Sequence, residues 1–222
     1  MLIFLDTETT GLEVSDKICS IAVVTEDIEL YDLVNEGKKI PALASSINHI
    51  TNEMIKDKPK LKDTKAFQFL KENNNQETTI IGHNVKFDLE KLSEAGFYFK
   101  GQVVDTLKVI KHLIPECELF SLQFLRYELK LYRYEAKDIL AHNALSDALV
   151  VRQLFNYLKD IASLEEMYEL SYKKVLLQKF TFGKYLGKYI EEISMNDRGY
   201  LEWMLKNVDL DEDLRYSIEY YL

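Results

Sequence analysis

The run Leu2-Ile3-Phe4-Leu5 is apolar at every position and is stopped at once by Asp6. A half-exposed strand would alternate apolar with polar residues, so an unbroken apolar run predicts a strand buried on both faces. Such a strand needs neighbours in the sheet and helices above and below it, which points to a layered α/β domain. The same signature returns at residues 78–82 and, more briefly, at Val103-Val104-Asp105. Residues 18–25 are apolar and β-branched, residues 28–34 alternate, and Glu26-Asp27 between them predicts a hairpin turn. Helices are predicted around residues 62–71, over 85–95 with Gly96 as the C′ residue, and over 106–113, 121–129 and 143–159. The sum predicts a mixed five-stranded sheet flanked by helices.

The last of these helices carries Leu145, Ala148, Leu149, Phe155, Leu158 and Ile161 at helical spacing, which predicts a buried stripe. Ser163-Leu164-Glu165-Glu166 then has the form of a capping box that opens another helix. The domain boundary is placed near 161, with residues 1–161 as the first unit and 162–222 as a connecting helix and a small C-terminal module. The tail from Phe180 is too short to build much core alone and is expected to pack on the helix before it. With 3 Pro and 8 Gly in 222 residues, long structureless linkers are not expected. No run approaches the ~18 apolar residues of a membrane span, so no membrane role is expected. Cys19 and Cys117 stand alone, a pattern that suits a reducing cytoplasm. The 28 basic and 37 acidic side chains give a net charge of −9, which excludes wrapping of nucleic acid by overall charge and leaves only a local basic surface.

The chemistry-bearing residues sit where predicted elements end. In Asp6-Thr7-Glu8-Thr9-Thr10-Gly11-Leu12, side chains at i and i+2 of an extended segment project to one face, so Asp6 and Glu8 set two carboxylates side by side after the first strand. Two such charges repel unless cations lie between them. In Gly82-His83-Asn84-Val85-Lys86-Phe87-Asp88, Asp88 falls in the first turn of a helix, where the helix dipole alone would also welcome an acid. Asp147, in His142-Asn143-Ala144-Leu145-Ser146-Asp147, has the same position on the long helix.

Taken in order, DTETTGL, HNVKFD and HNALSD resemble the three motifs of the DEDDh class of 3′–5′ exonucleases, over about residues 1–160. Asn48-His49-Ile50-Thr51 and Val104-Asp105-Thr106 are similar to two lesser segments of that class. The segment 182–188, with 200–203, resembles the small C-terminal module of exodeoxyribonuclease X-like proteins. The resemblance implies a ribonuclease H-like fold and hydrolysis of phosphodiesters with two divalent metal ions, Mg²⁺ or Mn²⁺. It implies that Asp6 is shared by both ions, that Glu8 and Asp147 complete the first site, and that Asp88 helps to hold the second. It makes His142 the general base, at the spacing from Asp147 that separates this class from a sister class with tyrosine. It places Thr9 and Leu12 against the terminal nucleotide, although Leu12 equally fits ordinary packing at a strand end. His49 and His83 are read as structural, and Asn84 and Phe87 as orienting the helix of Asp88.

No HExxH or paired cysteines suggest zinc, and GxxxxGK[ST] is absent, so neither a zinc site nor a phosphate loop is expected. Residues 173–206 hold seven basic against four acidic side chains, interleaved with Phe180, Phe182, Tyr185, Tyr189, Tyr200 and Trp203. Lysines such as Lys184 and Lys188 can neutralise phosphates and aromatics can stack on bases, but the same aromatics can form the core of a small module. The favoured reading is a 3′–5′ exonuclease acting on DNA 3′ ends. The alternatives are an RNA 3′-end trimming enzyme of the same superfamily, or a proofreading or repair subunit acting mainly by binding a protein partner.

Overall fold

The computed structural model describes residues 1–135 and 139–222. The chain runs β1 (Leu2–Thr9), β2 (Ile18–Val24), β3 (Glu29–Leu33), α1 (Ala42–Asn48), α2 (Asn52–Ile55), α3 (Lys65–Glu72), β4 (Thr79–Gly82), α4 (Val85–Glu94), β5 (Gln102–Asp105), α5 (Thr106–Leu113) and α6 (Leu122–Glu128). There follow α7 (Ala144–Lys159), α8 (Leu164–Tyr172), α9 (Ile190–Asn196), α10 (Arg198–Asn207) and α11 (Glu212–Tyr221). The sheet order is β3-β2-β1-β4-β5. The first three strands pair antiparallel, β4 pairs parallel to β1 and β5 parallel to β4, giving the expected mixed sheet.

Strand parity assigns the two cores. Ile3 and Leu5 of β1 face a layer built on Phe67 and Leu70 of α3 and Leu92 of α4. Phe4, between them, faces Val109 and Ile110 of α5, Leu125 of α6 and the apolar stripe of α7, where its ring meets Phe155 edge-on at 5.6 Å. Both faces of β1 are therefore covered, as an unbroken apolar run requires. The strand is longer than its apolar part, however. Backbone pairing with β2 continues through Asp6 opposite Ala22 and Glu8 opposite Ser20, and the register slips only between Glu8 and Thr9. The two carboxylates lie within the strand rather than after it, because β2 carries the ladder past the end of the apolar run.

Side-chain caps fix the helix starts. Asn143 accepts from Ser146 N–H at 3.2 Å and starts α7, Asp105 accepts from Leu107 N–H at 3.0 Å and starts α5, and Ser163 accepts from Glu166 N–H at 3.2 Å and starts α8. Because α7 ends at Lys159, Ile161 leaves the stripe and is 49% exposed, contrary to expectation. Helix α8, placed by sequence in the second unit, buries Met167 in the same core as α7.

The last three helices enclose a small core of Phe180, Ile190, Ile193, Leu201, Met204, Leu210, Leu214 and Ile218. This core is larger than the sequence suggested, since α9–α11 supply an apolar face each. The module is tied to the first unit through Asp213, which accepts from Lys108 Nζ on α5 at 2.9 Å and from Val175 N–H at 2.9 Å. Leu177 N–H donates to Ser217 Oγ at 2.7 Å beside it. No helix among the described residues is long and apolar enough to cross a membrane.

Candidate active site

Asp6 and Glu8 share strand parity with Phe4 and so project toward α7, whose first turn presents Asp147. The carboxyl oxygens of Asp6, Glu8 and Asp147 lie within 4.8 Å of one another. Thr7, of opposite parity, turns to α4 and donates to Oδ1 of Asp88 twice, from its N–H at 2.9 Å and from its hydroxyl at 2.6 Å. One strand thus holds three of the expected acids from two sides, two as its own side chains and Asp88 through the threonine between them. Asp88 lies outside the close trio, yet its charge still raises the pKa of both Asp6 and Glu8.

Electrostatics mark the cluster. Burial, followed by the charges of Asp88, Asp147 and Glu8, raises Asp6 well above an ordinary carboxyl, although part of its surface reaches solvent. Burial and then the charges of Asp147 and Asp88 raise Glu8 to about 7. Burial raises Asp88 to about 7 against the opposing hydrogen bonds from Thr7. Asp147 is raised by burial, while Gln123 and His142 pull it down. Four oxygen ligands crowded so that they resist ionising together form a donor set suited to hard divalent cations, so the residues present fit such ions.

His142 is exposed, adopts a left-handed backbone with φ 56°, and lies close enough to Asp147 for its charge to act on that carboxylate. The other histidine of the central motifs is differently placed. His83 bonds Thr106 Oγ1 at 3.0 Å and the Phe120 carbonyl at 2.7 Å, and burial pushes its pKa down to about 4. Thr9 is buried and its carbonyl accepts from Asn48 Nδ2 at 3.2 Å, which gives the Asn48-His49-Ile50-Thr51 segment a physical task. Leu12 is 83% exposed, so ordinary packing at a strand end does not explain it.

Two residues support the site in ways the sequence did not show: Gln123 was not singled out, and Asp105 was noted only as part of the fifth-strand segment. Gln123 Nε2 donates to Asp147 Oδ1 at 2.6 Å and is itself met by Arg126 at 3.4 Å. Asp105 Oδ1 accepts from Asn84 N–H at 2.9 Å, holding the left-handed turn (φ 62°) that opens α4. Gln123 carries no sequence pattern that would single it out, and the Val104-Asp105-Thr106 segment carries none that shows the bond from Asp105 to Asn84. A cleft of about 810 Å³ runs between residues 115–121 and 175–187, and none of the four carboxylates lines it.

The lysines of the tail are not part of the carboxylate cluster. Lys184 Nζ pairs with Asp197 Oδ2 at 3.0 Å and lies over the rings of Tyr185 and Tyr200 at 4.6 and 5.3 Å. Lys188 is exposed and makes no side-chain hydrogen bond or ion pair among the described residues. The aromatics divide between two environments: Phe180 is 2% exposed in the core, whereas Phe182, Tyr189 and Trp203 are 43%, 46% and 52% exposed.

The family profile described as Exonuclease matches residues 3–155, and the one described as Exodeoxyribonuclease X-like C-terminal matches residues 180–209. Exodeoxyribonuclease 10 of Escherichia coli (strain K12) is 29% identical over an alignment spanning 100% of this chain and 99% of that protein. DNA polymerase III subunit epsilon of Treponema pallidum (strain Nichols) is 32% identical, spanning 68% of this chain and 72% of that protein. The structure of Exonuclease X in complex with 5′ overhanging duplex DNA superposes with a TM-score of 0.63 at 26% identity, covering 77% of this chain and 99% of that one. Because the first profile takes in well over half of the sequence and a relative aligns from end to end, the chain belongs to the exonuclease family, as a 3′–5′ exonuclease.

Proposed function

We propose that this enzyme releases nucleoside monophosphates one at a time from DNA 3′ ends, with Asp6, Glu8, Asp88 and Asp147 holding two Mg²⁺ or Mn²⁺ ions. The observation that carries this reading is the trio of carboxylates within 4.8 Å, set beside Asp88 and the exposed His142. Two divalent cations supply the positive charge that favours deprotonation of water and offsets the charge developing on the leaving 3′-oxygen. The chain's own residues do the rest. His142 takes the proton from the attacking water and, being exposed, passes it to solvent. Gln123 fixes the orientation of Asp147, and Thr7 that of Asp88. The backbone at Thr9 meets the terminal 3′-hydroxyl, and Leu12 lies against the terminal base.

Lys188, with the exposed Phe182, Tyr189 and Trp203, gives the C-terminal module a surface for strand phosphates and bases. Lys184 serves this surface less directly, since Asp197 already engages it. A cytoplasmic location fits the two free cysteines. DNA is favoured over RNA because the tail matches the exodeoxyribonuclease X-like segment and the full-length relative bears that name. Matched DNA and RNA oligonucleotides, assayed side by side in Mg²⁺ and in Mn²⁺, test the choice. Faster shortening of DNA is the expected result, and faster shortening of RNA would move the enzyme to the RNA-trimming reading. Activity that appears only when a polymerase or repair partner is added would favour the subunit reading.

A further inference from the structure

Lys91 is 5% exposed, a rare place for an ammonium group, and most of its bonds run to one loop. Its Nζ donates to the carbonyls of Glu13, Asp16 and Val14 at 2.7, 3.3 and 3.4 Å, and reaches Glu94 Oε1 at 3.3 Å. The ring of Phe87, one helical turn earlier on α4, lies 5.8 Å from it. Packing α4 on its neighbours would need only an apolar side chain here, and burying a cation is unfavourable unless its donors are used. The donors are used on residues 10–17, the loop that follows the metal-binding strand.

That loop is fixed from its other side as well. Asp16 accepts from Thr10 Oγ1 at 2.8 Å and from Glu13 N–H at 2.9 Å, and Lys38 Nζ pairs with it at 2.7 Å. Gly11 has no room for a Cβ, which would collide with the Asp16 carboxylate. A loop held this firmly nevertheless presents Leu12 and Val14 at 83% and 81% exposure. Rigid backbone beneath an exposed apolar tip is the arrangement of a surface made to meet something.

We propose that Lys91 is a positioning residue: it ties residues 10–17, and Leu12 with them, to the helix that carries Asp88 three residues earlier, so that the terminal nucleotide is presented to the cations at one fixed height. This rests on the reading that Leu12 borders the terminal nucleotide. The substitution Lys91→Met keeps length and packing but removes all the donors.

The test is a double-mutant cycle of Lys91→Met and Leu12→Ala, with kcat and KM measured on a labelled single-stranded oligonucleotide and the Mg²⁺ half-saturation measured alongside. Lys91→Met is expected to lower kcat by about tenfold or more, as a misplacement near 1 Å can, with KM and Mg²⁺ half-saturation changed less than twofold. The double variant should be no more than about twofold worse than the worse single one, since both remove the same placement. If Leu12→Ala is impaired but Lys91→Met is normal, or the two losses multiply, the positioning role is overturned while the reading of Leu12 stands. If Leu12→Ala matches the wild type, the reading of Leu12 is wrong and the proposal falls with it. Should Lys91→Met fail to fold, Lys38→Met takes its place in the cycle, with a loss in kcat of up to about fivefold expected for this partly exposed pair.

Discussion

Asp6, Glu8, Asp88 and Asp147 are crowded at a cost that the proposed divalent cations would offset, and this has a measurable sign. Glu8 and Asp88 are raised to about 7 from ordinary values of 4.5 and 3.8. Between those limits the folded, cation-free protein keeps protons that the unfolded chain has lost, so its stability falls as pH rises from about 4 to about 7. Divalent cations at the proposed site would replace the protons, and their binding would strengthen over the same interval. Added Mg²⁺ should therefore raise the melting temperature more at pH 8 than at pH 5, and an equal shift at both would contradict the assignment of the cluster. The part proposed for His142 is different. His142→Ala should lower kcat by roughly 10²–10⁴ while leaving the Mg²⁺ half-saturation unchanged. A rate within a few-fold of the wild type would show that another group takes the proton.

Among the proposed catalytic residues, Asp88, Asp147 and His142 take their places from helix starts, whereas Asp6 and Glu8 lie within β1. Asn143, between His142 and the first turn of α7, is the N-cap that fixes both His142 and Asp147. Asn143→Ala should destabilise the protein by about 0.5–2 kcal/mol and lower kcat beyond what the melting shift explains, while Asn143→Ser should restore most of both. Calorimetry with parallel kinetics would decide it, and a stability loss with unchanged kcat would separate the cap from the site. The start of α7 near residue 143 was legible in sequence, though not its capping by Asn143, as were the five strands and the helices α4 and α5, because apolar runs and helical periodicity are local signals. The inclusion of Asp6 and Glu8 in β1 was not, since it depends on pairing with β2, which no pattern within the first ten residues encodes. Short α1 and α2 escaped notice because seven- and four-residue helices carry too little periodicity. Gln123 and Lys91 were missed, and Asp105 was named without its bond to the Asn84 turn, because these roles arise only when distant segments meet.

The whole molecule sets a net charge of −9 against a polyanionic substrate. Affinity for the strand must then come from local groups, and the module tied to α5 through Asp213 offers Lys188 among exposed aromatics. Lys188→Glu should weaken binding of a long oligonucleotide and flatten its dependence on salt, with little change in cleavage of very short ones. An unchanged salt slope would assign the module to structure or to a protein partner. The account as a whole stands on the shared ligand. With 5′-labelled DNA in Mg²⁺, the wild type should give a ladder of products shortened stepwise from the 3′ end, and Asp6→Asn, still folded, should give none. Stepwise shortening by a folded Asp6→Asn protein, or internal cuts by the wild type, would contradict it.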